Sequence, residues 1–148
     1  MQKKHTILFV ASEAVPYAKS GGLADVSGAL SKTLAERGHR VIVVMPYYAS
    51  ISSDYIKSEK DAFSMNLWMG NTEEWCLVYP QKINENLEYY FIDYKKYFFR
   101  DGKYCDIDQQ DYVDNPKRFA FLSQAALYLC KTKQIKIEKT HPLKKTHL

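Results

Sequence analysis

Two apolar runs, separated by a segment with helical periodicity, open the chain. Residues 6–11 (TILFVA) and 41–45 (VIVVM) are continuous apolar stretches, typical of strands buried on both faces of a sheet. Between them, Gly38 marks the C-terminal end of a helix. The helical spacing comes from four apolar positions: Leu23, Val26, Leu30 and Leu34. We therefore expect a strand–helix–strand unit with parallel strands and a right-handed crossover.

The middle of the chain predicts antiparallel structure. Residues 63–70 (FSMNLWMG) and 73–83 (EEWCLVYPQKI) flank a turn and should form a hairpin. Residues 87–93 (LEYYFID) follow a second turn and are expected to return to the main sheet. In the hairpin, Trp68 and Trp75 are interpreted as cross-strand packing residues rather than sugar platforms, and the pair Glu73-Glu74 as part of a solvated face.

A second helix is predicted in DNPKRFAFLSQAALYLC. Asn115 suits its N-cap and Pro116 its first helical position. Arg118 is interpreted as a surface or ion-pair residue. The predicted apolar stripe consists of Phe119, Leu122, Ala126 and Leu129. Together these elements predict an α/β fold, Rossmann-like, with a mainly parallel sheet flanked by helices and a β-hairpin insertion.

Composition and charge exclude some classes of function. The chain has 148 residues and a net charge of +4, but residues 131–148 carry six lysines and one glutamate, so the positive excess lies in that segment. The remainder shows no basic face interleaved with aromatic residues, which argues against nucleic-acid binding. No apolar run approaches the ~20 residues of a membrane span. Three scattered cysteines, Cys76, Cys105 and Cys130, are typical of a reduced, cytoplasmic protein.

The stretch YAKSGGLADV places Lys19 and the pair Gly21-Gly22 at the entrance of the first predicted helix. This corner lies at the carboxyl edge of the sheet, where α/β folds bind ligands. A helix N-terminus offers free N–H groups to an anion, glycine lets the backbone approach a ligand closely, and lysine adds a full charge. Two interpretations stay open from the pattern alone: a cradle for a phosphate or sugar phosphate, or a tight turn with a solvated lysine.

Two familiar phosphate motifs do not fit. A Walker loop requires a lysine after its glycines, whereas Lys19 precedes them. A dinucleotide fingerprint requires GxGxxG and an acidic residue after the second strand, but that strand is followed by Pro46, Tyr47 and Tyr48. A nicotinamide-dependent oxidoreductase is therefore disfavoured.

Several segments resemble one family in order along the chain. Residues 12–13 (SE) and 19–26 (KSGGLADV) resemble the KxGGLADV signature of bacterial glycogen synthases and plant starch synthases. Residues 97–104 (YFFRDGKY) resemble the family's aromatic-Arg-x-Gly-x-Tyr loop, and 111–121 (DYVDNPKRFAF) its YxDN…RFAF element. The resemblance spans roughly residues 5–130.

The resemblance implies a GT-B fold, in which two Rossmann-like domains face each other across a cleft; residues 1–130 would be an incomplete N-terminal, acceptor-side domain. It implies retaining transfer of glucose from ADP-glucose (UDP-glucose in some relatives) to the non-reducing end of an α-1,4-glucan such as glycogen, without a metal or a further cofactor. By match, Lys19 would contact the donor phosphate or the acceptor region near it, and Gly21 and Gly22 would shape the loop against the sugar phosphate. The residues expected to line the sugar side of the cleft are Tyr112, Asp114 and Asn115. Glu13 and Asp25 are secondary candidates.

The chain also departs from the family's pattern. After Cys130 the family continues with HA[NH]DWH and TVHN elements, which His141 and His147 do not reproduce. We expect residues 131–148 to be a non-homologous, disordered tail. We also expect a truncated fragment with no complete catalytic site, inactive alone, whose missing domain could come from a second chain. The alternative function is a non-catalytic glucan-binding or regulatory fragment of a synthase.

Overall fold

The computed structural model describes residues 3–56 and 59–136. Its strands are β1 (Thr6–Val10), β2 (Arg40–Pro46), β3 (Phe63–Met69), β4 (Thr72–Asn84) and β5 (Leu87–Asp93). Its helices are α1 (Gly22–Glu36), the short α2 (Lys95–Phe98) and α3 (Asn115–Thr132). Single 3₁₀ turns occupy Ser53–Tyr55 and Glu59–Asp61.

The strands form one mixed sheet in the order β1-β2-β5-β4-β3. β1 pairs with β2 and β2 with β5 in parallel, whereas β4 pairs antiparallel with both β5 and β3. β2 lies between two strands and its residues from Val41 to Pro46 are buried, as its continuous apolar run predicts. The predicted strand–helix–strand unit, the hairpin and the return of residues 87–93 to the main sheet are confirmed.

Two glycines explain where elements turn. Gly70 has a φ of +65° in the turn between β3 and β4, a left-handed conformation that glycine adopts without a Cβ clash. Gly38 has a φ of +86° just after α1. Its N–H donates to the carbonyl oxygen of Ala35 at 2.9 Å, and that of His39 donates to Leu34 at 3.2 Å. These bonds satisfy carbonyls of the last turn of α1, so the predicted cap is confirmed.

The buried face of α1 differs from the predicted one. The predicted stripe is largely exposed: Leu23 is 50%, Val26 59% and Leu30 43% exposed. The helix instead buries its small residues, which are Ala24, Ser27, Ser31 and Ala35. Small residues let the helix approach its neighbours closely, while aromatic rings from the loop and sheet fill the space. Hydrophobic periodicity alone identified the helix but not the side that packs.

Helix α3 begins one residue earlier than predicted. Asp114, rather than Asn115, is the N-cap, and Asn115 is the first helical residue. The Asn115 side chain is used elsewhere, since its amide donates to the carbonyl oxygen of Tyr104 at 2.7 Å. Leu122, Ala126 and Leu129 are buried as predicted, whereas Phe119 is only partly buried. Arg118, which the pattern placed on the surface, is completely buried.

Glu74 is also buried, contrary to the predicted solvated face. It accepts a hydrogen bond from the Tyr97 hydroxyl at 3.2 Å, and its carboxylate lies 3.2 Å from the ammonium of Lys117 and 3.7 Å from that of Lys96. Burial opposes ionisation, but these hydrogen bonds and charges outweigh it, so the pKa of Glu74 lies below its ordinary value. The carboxylate thereby ties β4 to α2 and α3.

The end of the described chain continues beyond the predicted boundary at residue 130. α3 runs to Thr132, and the N–H of Ile135 donates to the carbonyl oxygen of Cys130 at 2.8 Å. Most of the predicted disordered tail, residues 137–148, lies outside the described residues. In the part of the chain that is described, no helix has the length and apolarity needed to cross a bilayer.

Candidate functional site

The corner between β1 and α1 is open at its two glycines. Gly21 is an extended residue, with a φ of −157° and ψ of −163°, and Gly22 begins α1. Both are exposed, and a Cβ built on either would meet nothing within 4 Å. Neither packing inside the described chain nor a left-handed backbone therefore requires glycine here. Free helix N–H groups and unoccupied space coincide, which suits the close approach of an anionic ligand.

Lys19 lies beside this helix entrance. Its ammonium is 2.9 Å from one carboxylate oxygen of Asp25 and 2.8 Å from the other. Both side chains are about half exposed, at 53% and 55%. Asp25 stands in the first turn of α1, so the pair keeps the lysine close to the helix N-terminus. Because the pair is open to solvent, an incoming anion can reach the ammonium.

Glu13 fixes the loop that carries Lys19. The side chain is only 2% exposed, and one carboxylate oxygen accepts hydrogen bonds from both the N–H and the hydroxyl of Ser20, each at 2.7 Å. The N–H of Val15 also donates to the carbonyl oxygen of Ala24 at 3.0 Å, which ties the loop to α1. A buried carboxylate is tolerated because it is hydrogen-bonded. Glu13 thus sets the course of the chain into the glycine pair.

A second loop, residues 99–114, reaches the same corner. The ammonium of Lys103 donates to the backbone carbonyl oxygen of Lys19 at 3.3 Å. The hydroxyls of Tyr104 and Ser12 lie 2.7 Å apart, and the Tyr48 hydroxyl donates to the carbonyl oxygen of Ser12 at 2.8 Å. Burial raises the pKa of Tyr104, so the phenol stays protonated at neutral pH. These contacts join the ends of β1 and β2 to the loop before α3.

Three further predicted site residues lie in that second loop and at the start of α3: Tyr112, Asp114 and Asn115. The guanidinium of Arg100 donates to the two carboxylate oxygens of Asp114 at 2.7 and 2.6 Å. Hydrogen bonding to Arg100 lowers the pKa of Asp114. The centre of the Tyr112 ring lies 4.7 Å from the guanidinium carbon of Arg100 and 4.9 Å from that of Arg118. The polar groups of Asp114 and Asn115 are thus engaged within the chain, where they shape the loop.

Arg118 is the organising residue that the sequence pattern missed. Its guanidinium donates to the backbone carbonyl oxygens of Tyr97 at 2.6 Å and Lys103 at 2.9 Å, and to the Asn115 side chain at 2.6 Å. Burial lowers its pKa, and the nearby charge of Arg100 lowers it further. A lone arginine among helix-forming residues carries no signal of burial. Only the tertiary structure identifies it.

A hollow of about 210 Å³ lies at the carboxyl ends of β2 and β5. Its walls include the aromatic residues Tyr47, Tyr48 and Phe99, together with Asp93 and Lys95. Burial raises the pKa of Asp93, an effect that the neighbouring Lys95 opposes. No group of three His, Cys, Asp or Glu side chains suitable for a metal ion occurs in residues 3–56 or 59–136.

Comparison with known proteins places this corner in context. The starch synthase catalytic domain family matches residues 6–141. The glycogen synthase of Treponema denticola is 43% identical over 126 residues, which cover 84% of this chain and 25% of that protein. The glycogen synthase of Bacillus subtilis is 38% identical over 135 residues, covering 91% and 26% respectively. The chain therefore spans about a quarter of the length of these curated relatives.

The fold agrees with these matches. The catalytic domain of starch synthase IV from Arabidopsis thaliana, solved with ADP and acarbose bound, is similar with a TM-score of 0.74 and 26% sequence identity. The similarity covers 92% of this chain and 27% of that one, and it confirms the α/β fold and its relation to the GT-B arrangement. The chain belongs to the starch synthase catalytic domain family, of which it spans only a part.

Proposed function

We propose that this chain supplies one wall of the active site of a glycogen or starch synthase. The reaction is the retaining transfer of glucose from ADP-glucose to the non-reducing end of an α-1,4-glucan. The observation that carries the proposal is the open glycine pair at the N-terminus of α1, beside the ammonium of Lys19. ADP-glucose is chosen as the donor because the similar starch synthase IV domain was solved with ADP.

In this function, the corner would stabilise negative charge on the donor's phosphates. Breaking the glucosyl–phosphate bond leaves negative charge on the ADP leaving group. The N–H groups at Gly21 and Gly22 and the ammonium of Lys19 offer donors to that charge, and their positions are fixed before the reaction by Glu13 and Asp25. No metal or organic cofactor is assigned in this proposal, since amides and lysine supply the positive potential.

The second loop supports the sugar side in this proposal. This loop leads to three predicted site residues: Tyr112, Asp114 and Asn115. Lys103 and Tyr104 hold the loop against the first corner through contacts with Lys19 and Ser12. Because Asp114 and Asn115 are held by Arg100 and Arg118, we assign them to positioning of the cleft wall. The glucan acceptor would then lie along the carboxyl edge of the sheet, at the hollow lined by aromatic residues.

We also propose that the protein works in the cytoplasm, with ADP-glucose and an α-1,4-glucan as its binding partners. The three cysteines are free thiols rather than disulfides. The second wall of the cleft would be supplied by the part of a synthase that this chain does not span, in the same polypeptide or in another.

A chimera tests the proposal. Residues 6–136 of this chain would replace the matching segment of the Bacillus subtilis glycogen synthase, and radiolabelled glucose from ADP-glucose would be followed into glycogen. We expect incorporation, and at least a tenfold loss with Lys19→Ala. Lys32→Ala, which removes an exposed lysine of α1 with a 3.9 Å pair to Glu36, is the matched control and should retain full activity. A folded chimera without transfer, or one indifferent to Lys19→Ala, contradicts the proposal.

A further inference from the structure

Among residues 3–56 and 59–136, nothing covers one face of the hairpin end of the sheet. Side chains alternate along a strand, so Tyr89 and Asp93 of β5 point to the same face, and Tyr89 contacts Ser31 of α1 there. In the pairing register, Asp93 stands opposite Leu77 of β4, and Leu77 stands opposite Ser64 of β3. The face packed under α1 thus continues outward across β4 and β3, beyond the strands against which α1 packs.

The two tryptophans of the chain lie on this continuation. Trp75 stands opposite Asn66, and Trp68 stands opposite Glu73 in the next row, so the two indoles are diagonal neighbours on one face. They are 57% and 62% exposed, and Leu77 beside them is 43% exposed. In the described part of the chain, neither indole stacks on another ring or makes a hydrogen bond. The two indoles are therefore cross-strand neighbours, as expected, but both remain largely exposed.

The tryptophan face leads into concave surface. Trp75 lines a hollow of about 300 Å³ whose other walls include Asp93, Lys95 and Lys96. Asp93 and Lys95 also line the neighbouring 210 Å³ hollow at the carboxyl ends of β2 and β5, which Phe99 borders with 63% of its surface exposed. The two hollows share these two residues. A continuous path of aromatic surface and polar groups thus runs from the hairpin to the edge of the sheet that carries the candidate site.

We propose that Trp68 and Trp75 form a binding platform for an α-1,4-glucan chain, separate from the site of glucose transfer. The C–H-rich face of a pyranose ring packs on an indole ring and buries apolar surface there. The surrounding groups can bond sugar hydroxyls: Asn66 and Glu73 flank the indoles, where they are joined by a 2.6 Å hydrogen bond, and Asp93 follows in the hollow. The choice of an α-1,4-linked chain, rather than another neutral polysaccharide, rests on the proposed function.

The composition of the face favours this occupant over others. Carboxylates and ammonium groups are mixed around the indoles, which gives no single-sign field for a nucleic acid or a charged peptide. A neutral polymer needs no such electrostatic field in order to bind. A polymer lying on both indoles is held at several points, so its local concentration near the carboxyl edge rises although each contact is weak.

The tryptophan emission of the chain tests this directly, since the sequence contains two tryptophans and both lie on this face. Titration of the full 148-residue chain with maltoheptaose should give a saturable change in emission intensity or wavelength. Trp75→Ala should weaken the apparent affinity at least fivefold as read from the remaining Trp68. Tyr128→Ala, which removes a 40% exposed aromatic residue of α3, is the control and should leave the titration unchanged.

Other outcomes overturn the inference. An absent response to maltoheptaose, or an equal response to the β-1,4-linked cellohexaose, contradicts an α-glucan platform. An emission change that follows protein concentration without sugar, with dimers in analytical ultracentrifugation, identifies the face as a contact between two copies instead. The Lys19→Ala variant separates this inference from the proposed function. It should keep the maltoheptaose response even where ADP-glucose binding is lost.

Discussion

Ser20 donates two hydrogen bonds to one oxygen of Glu13, from its backbone N–H and from its hydroxyl, each at 2.7 Å. Glu13 is buried at the end of β1, whereas Ser20 directly precedes the exposed glycine pair. The relationship means that the course of the Lys19 loop is fixed from inside the protein. A ligand at the corner therefore meets N–H groups that are already oriented, and little ordering is left for the moment of binding.

Replacing the carboxylate should loosen this loop. Glu13→Gln removes the charge from two charge-assisted hydrogen bonds, so we expect a loss of about 1–3 kcal/mol in the free energy of unfolding. Hydrogen exchange of the Ser20 amide should also become faster. Ser20→Ala keeps the N–H bond and is the matched comparison, with an expected loss of about 0.5–1.5 kcal/mol. If Ser20→Ala were the more damaging change in urea unfolding, the assigned role of Glu13 would be incorrect.

The two α1 glycines should respond oppositely to alanine. At Gly22 a Cβ meets open space, so Gly22→Ala should leave the melting temperature unchanged or slightly higher. At Gly28 a Cβ would lie 2.8 Å from the backbone carbonyl oxygen of Val15, so Gly28→Ala should cost about 1–3 kcal/mol.

For ADP-glucose binding, the two glycine substitutions should rank in the opposite order. Gly22→Ala places a methyl group where the ligand approaches, and we expect at least a tenfold weaker Kd for ADP-glucose by calorimetry. Gly28→Ala, measured well below its melting temperature, should bind within about twofold of the parent chain. Undiminished binding by Gly22→Ala would show that the ligand does not approach this backbone.

The sequence predicted the order of elements well because buried parallel strands, helix periodicity and turn residues are local signals. β2, the hairpin turn at Gly70 and the cap at Gly38 are of this kind. It failed at the packed face of α1, where Ser27 and Ser31 lie inward and Val26 outward. That choice depends on how closely the helix approaches its neighbours, which hydrophobicity along one segment does not encode.

Arg118 should not be replaceable by lysine. Its guanidinium spans three acceptors, the carbonyl oxygens of Tyr97 and Lys103 and the side chain of Asn115, and a lysine ammonium has no planar fork to reach all three. We expect Arg118→Lys to lower the free energy of unfolding by about 2–4 kcal/mol. Arg37→Lys, at the exposed end of α1, should change it by less than about 0.5 kcal/mol. Equal effects in urea unfolding would contradict the organising role of Arg118.

Glu74 should make stability depend on acid pH. Its folded-state pKa lies below the ordinary value of 4.5, so its contribution is present above pH 4.5 and is lost as the pH falls through the folded-state pKa. We expect Glu74→Gln to cost about 1–3 kcal/mol at pH 7. The difference from the parent chain should shrink steadily as the pH falls below 4.5. Glu73→Gln, at the neighbouring exposed position, should cost little at any pH. A Glu74→Gln effect that stays constant from neutral to acid pH would contradict a lowered pKa of Glu74 in the folded state.

Likewise, only part of the candidate site could be predicted from the sequence. Lys19, Gly21 and Gly22 could be proposed from the sequence because they are adjacent in a strand-to-helix corner. The contacts of Lys103 with Lys19 and of Tyr104 with Ser12 could not, because they join residues far apart in the chain. The exposure of Trp68 and Trp75 likewise follows from which part of the sheet α1 leaves uncovered.

Amide NMR of the ¹⁵N-labelled chain during titration with ADP-glucose shows whether the entrance of α1 holds the donor phosphate. We expect the N–H signals of Gly21 and Gly22 to shift most and to saturate together, and Lys19→Ala to weaken this binding at least tenfold. If both signals stay in place while others move, or if Lys19→Ala binds as the parent chain does, the helix entrance is not where the donor phosphate is held.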